Sequence, residues 1–107
     1  MQVINEKEPE ECAGMVEIRA EIDHIDQAVI VLLGKRFRYV RAAAPFKTDA
    51  VAVRAPERFA AMLVQRRIWA EQQGLSPDVI EQIYRDLVAY FIAEEMHHWQ
   101  AGQGEAS

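Results

Sequence analysis

Two cations, Arg36 and Lys47, fall on a line of apolar residues, and one carboxyl, Glu95, falls on another. Met15, Ile18, Ile22, Ile25, Val29 and Leu32 alternate steps of three and four, which traces one seam of a helix. The next places on that seam are Arg36, Val40 and Ala43, and one further step reaches Lys47. Lys and Arg are rarely fully buried without a partner, so an anionic group is expected to meet them there. Arg36 and Lys47 lie 11 residues apart, which at about 100° per residue leaves them within roughly 20° of one another. The two cations can therefore share one site.

Arg19 precedes Arg36 by 17 residues, and the same rotation carries it roughly 100° round the helix. From there it serves either the site of a second, antiparallel or crossed chain, or an ordinary i, i+4 ion pair with Asp23. Glu95 has Val88, Phe91, Ile92 and Trp99 as helical neighbours. Burial disfavours the charged form and raises a carboxyl pKa, whereas a nearby Arg or Lys opposes that. Two roles stay open for Glu95: the buried partner of Arg36, or a carboxyl kept protonated so that it can donate a hydrogen bond.

Other chemistries find less support. Glu21-Ile22-Asp23-His24 and Glu94-Glu95-Met96-His97 have the Glu-x-x-His spacing of di-iron bundles, but such sites need further inward Glu residues on other helices. His24, His97 and His98 read as surface residues, and no metal or other cofactor is expected. There is no Ser-His-Asp or Cys-His grouping and no glycine-rich phosphate loop. Cys12 is the lone cysteine, which excludes a disulfide framework and leaves a small packing residue. An enzyme built on these residues works without a nucleophile, by placing charge around an anionic substrate.

The elements that position them are helices. One long helix is expected from near Cys12 to near Ala44, where Pro45 ends or bends it. That length is roughly 48 Å, against a radius of gyration of about 13 Å for a globule of this size. One subunit cannot cover such a helix, so a dimer of packed long helices is expected. Phe46–Arg54 forms a loop carrying Lys47, and Ala55-Pro56-Glu57 opens a second helix with Pro at its first position. Gly74 closes that helix, Ser76-Pro77-Asp78 opens a third, and the chain fades after Trp99 into a polar tail. No stretch alternates with period two, so the fold is all-α, a single domain over residues 1–107 with loose ends at about 1–11 and 101–107.

The bulk properties agree. The chain has 107 residues, 50% of them hydrophobic, and a net charge of −5. That charge argues against nucleic acid, which requires a basic face, but a small anion needs only two or three placed cations. No apolar run approaches the roughly 18 residues of a membrane span, and the acidic start MQVINEKEPEE lacks a secretion signal. The expected location is cytoplasmic.

The stretches ECAGMVEIRAEIDHID, GKRFRYVRAAAPFK, APERFAAML, RRIWAEQQGL and YFIAEEMHHW run in order from Glu11 to about Trp99. In this order and spacing the chain resembles the all-helical class of chorismate mutases. It resembles more closely the isochorismate-pyruvate lyases within that class, which make salicylate for siderophores. The resemblance implies an intertwined homodimer of three-helix subunits, with two buried sites that take isochorismate or chorismate. By position it implies that Arg36 and Lys47 line a site from one subunit and that Arg19 is donated by the other. Glu95 falls where bacterial members have a glutamine that donates to the substrate's ether oxygen, and fungal mutases show the same substitution. Glu57 matches an acid that contacts the ring hydroxyl in mutases. Bacterial mutases tend to carry an aspartate shortly before the second helix, and Val53 stands at the matching position. Ala55-Pro56-Glu57-Arg58 and Glu11-Cys12-Ala13-Gly14 look like the lyase branch. The readings are therefore a lyase releasing pyruvate from isochorismate, a mutase converting chorismate to prephenate, and a helical dimer without catalysis.

Overall fold

Helix α1 spans Met15–Ala43 and keeps the apolar seam on one face. The computed structural model describes residues 7–47, 49, 50, 52 and 55–106. Two more helices follow, α2 over Pro56–Gln72 and α3 over Pro77–Ala106, and no strand occurs among the described residues. Among the described residues the architecture is all-α and built on three long helices, as the sequence implies. The 29 residues of α1 extend about 44 Å. The chain divides into two compact units, one ending at Arg38 and the other beginning at Tyr39.

In the first unit a short arm leads into α1. Pro9–Glu11 is a 3-10 turn, where the sequence suggested a loose start. Local bonds order it: the Glu8 backbone N–H donates to Glu11 Oε1 at 3.1 Å, and Lys7 Nζ donates to Glu17 Oε1 at 2.7 Å. Glu17 also accepts from the Ala13 backbone N–H, and Ile18 N–H donates to the Gly14 carbonyl at 3.2 Å. These bonds start α1 at Met15, three residues later than Cys12. No residue of α1 is buried, and Met15, Ile18, Ile22, Ile25 and Val29 are 36–55% exposed.

In the second unit Pro45 acts as expected. It has no N–H to continue the helical ladder, so α1 stops at Ala43 and the chain tightens into a 3-10 turn over Ala44–Phe46. The core is small: Ala44 from the turn, Met62, Leu63 and Ala70 from α2, and Phe91 from α3. Both α2 and the turn pack against α3. Arg67 Nη1 reaches from α2 to Asp78 at 2.9 Å and Glu81 at 3.0 Å on α3, and Glu81 also holds Arg85 at 2.8 Å. The Arg66 guanidinium lies 4.7 Å from the Trp69 ring centroid and 5.6 Å from that of Tyr84 on α3, a cation–π link across the hairpin.

The caps of this hairpin match the sequence signals. Gly74 has φ +73°, the Leu75 N–H donates to Ala70 O at 2.8 Å, and the Gly74 N–H donates to Glu71 O at 3.1 Å. That pair of bonds is the Schellman closure, which needs a left-handed residue at Gly74. Ser76 Oγ accepts from the Val79 N–H at 3.3 Å, satisfying one orphan donor at the start of α3. The polar tail differs from expectation: α3 does not fade after Trp99 but continues to Ala106. Each added residue of a formed helix gains a hydrogen bond, so Gly102 and Gly104 weaken the end without stopping it.

A methyl group at Gly74 would meet nothing within 4 Å, so any cost of Gly74→Ala is conformational. The expected loss is about 1 kcal/mol, read as a lowered urea midpoint at fixed protein concentration. An unchanged midpoint would show that the hairpin does not depend on this closure.

Candidate active site

Lys47 is the first residue beyond the 3-10 turn, and its placement follows from Pro45. Its backbone N–H donates to the Ala44 carbonyl at 3.1 Å, and its own backbone is extended, with φ −90° and ψ 134°. The half-buried side chain therefore leaves the helix end as a separate arm. Its ammonium donates to the Ala52 carbonyl at 3.0 Å and lies 3.8 Å from Glu95 Oε2. The second distance is an ion pair but too long for a hydrogen bond. The constant rotation that aligned Arg36 with Lys47 in the sequence ends at Ala43, because the turn that follows is not α-helical.

Glu95 is buried, at 4% exposure, on the face of α3 that also carries Phe91 one turn before it and Trp99 one turn after. Its Oε2 accepts no hydrogen bond among the described residues. Burial pushes the carboxyl pKa up from its ordinary value, and the Lys47 ammonium partly opposes that shift. The carboxyl thus holds its proton to higher pH than an exposed glutamate would, and a protonated carboxyl can donate one hydrogen bond. The partner that the structure gives Glu95 is Lys47.

The other expected residues are placed as follows. Arg19 is exposed on α1 and Arg36 is half-buried there, both in the first unit. No ion pair between Arg19 and Asp23 occurs among the described residues. Glu57 is exposed in the first turn of α2, and no hydrogen bond or ion pair joins it to Lys47 or Glu95 among the described residues. Val53 lies outside the described residues, as does the side chain of His98, while His24 and His97 are exposed.

Cys12 shows no sign of activation. Its Sγ points to the Glu8 carbonyl at 3.7 Å, and burial first, then the nearby Glu17 carboxylate, push the thiol pKa up. Thiol reactivity requires the opposite shift. Cys12 lines a concavity of about 380 Å³ in the first unit with Lys7, Glu8, Pro9 and the seam residues Ile18, Ile22 and Ile25. None of the expected site residues lines it. It is the upper end of the exposed apolar seam.

The side chain that sequence reasoning passed over is Trp99. It was read as one more apolar place on the stripe, yet its Nε1–H donates to the Lys47 carbonyl oxygen at 3.0 Å. The available signal was chemical: a partly buried indole N–H needs an acceptor. The acceptor is a backbone atom 52 residues earlier in the chain, which no side-chain pattern reveals.

Glu95 and Lys47 are thus a buried acid and a cation side by side, an arrangement suited to binding and polarising an oxyanionic substrate. Comparisons with known proteins agree with this chemistry. A family described as chorismate mutase type II matches residues 18–96. The chain is 42% identical over 100 residues to an isochorismate pyruvate lyase of Pseudomonas aeruginosa, covering 94% of this chain and 99% of that protein. It is 38% identical over 83 residues to a T-protein of Haemophilus influenzae, covering 77% of this chain but 22% of the relative. A T-protein of Enterobacter agglomerans is 38% identical over 74 residues, 68% of this chain and 20% of the relative. With a matched segment that takes in Arg19, Arg36, Lys47 and Glu95, the chain belongs to the type II chorismate mutase family.

Proposed function

We propose that this protein is an isochorismate pyruvate lyase. The observation that carries the reading is the end-to-end similarity to the Pseudomonas aeruginosa lyase, which leaves 1% of that protein uncovered by its 99% match. In the reaction, the ring hydrogen beside the ether carbon moves to the methylene of the enolpyruvyl group as the ether C–O bond breaks. The ring becomes aromatic, and salicylate and pyruvate leave. Six electrons move in one cycle, so no side chain has to form a bond to the substrate.

The protein's work is positioning and electrostatics. Isochorismate is an extended dianion that must be held in a compact reactive shape. Arg36 and the partner subunit's Arg19 would grip its two carboxylates, preferably by bidentate bonds. Lys47 would stabilise the charge that grows on the ether oxygen, and Glu95 would donate its proton to the same oxygen as a hydrogen bond. Glu57 is assigned to the ring hydroxyl by sequence position alone, and its exposure weakens that assignment. The homodimer is part of the proposal: a 29-residue helix without one buried residue, its seam 36–55% exposed, is the face a second copy would cover.

Membership of the mutase family favours a second activity at the same site, conversion of chorismate to prephenate. Purified protein incubated separately with each substrate distinguishes the two. Salicylate and pyruvate from isochorismate at the higher kcat/KM are expected. Turnover of chorismate alone would make the protein a mutase, and turnover of neither would leave a non-catalytic dimer. Lys47→Ala should lower kcat on the order of 10²–10³.

The Glu95 carboxyl sets the pH dependence. Its raised pKa means that the working, protonated form declines as pH rises through that value. Activity should therefore fall with rising pH, and Glu95→Gln should flatten the profile; an unchanged alkaline limb in that variant counts against the role. Stability follows the same sign. The folded state holds the proton more tightly than the unfolded one, so the contribution is complete below about pH 4.3 and is lost as pH rises through the folded pKa. Thermal melts of the wild type and Glu95→Gln against pH check this.

Subunit exchange tests the origin of Arg19. In a mixed dimer of Arg19→Ala and Arg36→Ala chains, one site regains both arginines, so random exchange should restore about a quarter of wild-type activity. If labelled subunits exchange and no activity returns, Arg19 acts within its own chain.

A further inference from the structure

We propose that Trp99 is a positioning residue: its indole N–H, bound to the Lys47 carbonyl, fixes the lysine arm that carries the site's ammonium. The proposal rests on the reading of Lys47 as the cation beside the ether oxygen, and its test separates the two.

Lys47 lies where the chain has just left a 3-10 turn and is extended. Its backbone N–H is already committed to Ala44 O at 3.1 Å. The carbonyl is the remaining handle on its main chain, and Trp99 takes it at 3.0 Å. The two peptide units that flank the Lys47 Cα are thus each held by a hydrogen bond, which restricts rotation on both sides of it and sets the direction in which the side chain departs.

The same face of α3 holds the other end of the lysine. Glu95 and Trp99 are four residues apart, one above the other on the helix. Glu95 Oε2 lies 3.8 Å from the ammonium while Trp99 holds the carbonyl. Two side chains one turn apart thus grip one lysine at its root and its tip. A flexible four-carbon arm becomes a short span between two fixed points. Indole suits the root position because its nitrogen only donates and its ring is rigid, so it cannot exchange roles with water or turn away as an amide could.

Trp99 does not need to touch substrate for this role. Its effect passes through Lys47, and misplacing a catalytic group by about 1 Å is enough to cost on the order of 10² in rate. Trp99→Phe retains an aromatic ring and removes the donor. It should lower kcat by about ten- to a hundredfold and leave KM within about twofold, because ground-state binding of the carboxylates belongs to other residues.

The test is a double-mutant cycle read by kcat, with Trp99→Phe, Lys47→Ala and the double variant. If Trp99 acts through Lys47, Trp99→Phe causes no further loss once Lys47 is alanine. Equal losses in both backgrounds, or an unchanged kcat in folded Trp99→Phe, overturn the proposal. Activity retained by Lys47→Ala overturns the reading of the site instead. Should Trp99→Phe fail to fold, hydrogen exchange of the indole N–H groups in the wild type decides. Trp99 is expected to exchange more slowly than Trp69, which is 46% exposed; equal rates would mean that the bond to Lys47 is not held.

Discussion

A carboxyl removed from water loses its hydration and must recover something in exchange. Glu95 recovers little: an ammonium at 3.8 Å and, among the described residues, no hydrogen bond to Oε2. The exchange is incomplete, which is why its pKa stays raised in spite of the adjacent cation. Much of the second unit serves this arrangement. Pro45 frees the chain from α1 so that Lys47 can turn away from the helix, and Ala52 offers a carbonyl to the same ammonium. Phe91 and Trp99, one turn either side of Glu95, flank the carboxyl with aromatic surface. Structural proteins seldom keep a poorly compensated acid in such a place, whereas catalytic sites need one.

The type II chorismate mutase frame supplies the helices, and the reaction is decided by a few polar atoms placed within it. A glutamine amide always offers an N–H, whatever the pH. A glutamate at position 95 offers a donor only when protonated, so in its proposed role it couples the chemistry to the solution more tightly than a glutamine would. Lys47 moderates that coupling because its charge favours the ionised form. The pair is a compromise between keeping the lysine in place and keeping the acid protonated.

Much of this was legible in the sequence because it depends on local chemistry. The three helices, the stop at Pro45, the left-handed position of Gly74 and the Ser76 cap are all set by residues within one turn of the feature. Burial of Glu95 was legible too, since its neighbours at helical spacing are apolar. What could not be read depends on backbone atoms brought together from afar. The Ala52 and Lys47 carbonyls have no signature in side-chain type, and the Trp99 bond spans 52 residues. The pairing of Lys47 with Glu95 was equally hidden, because the helical pattern runs along one helix and Lys47 lies beyond its end. The ordered Pro9–Glu11 arm was missed for a related reason, because Lys7 reaches Glu17 across the start of α1.

The exposed seam of α1 also has a consequence in time. The helix is complete when Ala43 has been added, and at ribosomal speeds the residues up to the end of α3 at Ala106 take roughly 3–13 s to follow. Through that interval a helix long enough to form alone presents Ile18, Ile22, Ile25 and Val29 before the α2–α3 hairpin exists. Charged residues stand beside that line: Arg19, Glu21, Asp23 and Asp26 fall between the seam positions in the sequence. Such residues act as gatekeepers against premature association. The nascent chain can thus remain dispersed until the hairpin has been made, and the charged face of α1 protects its synthesis as well as its solubility.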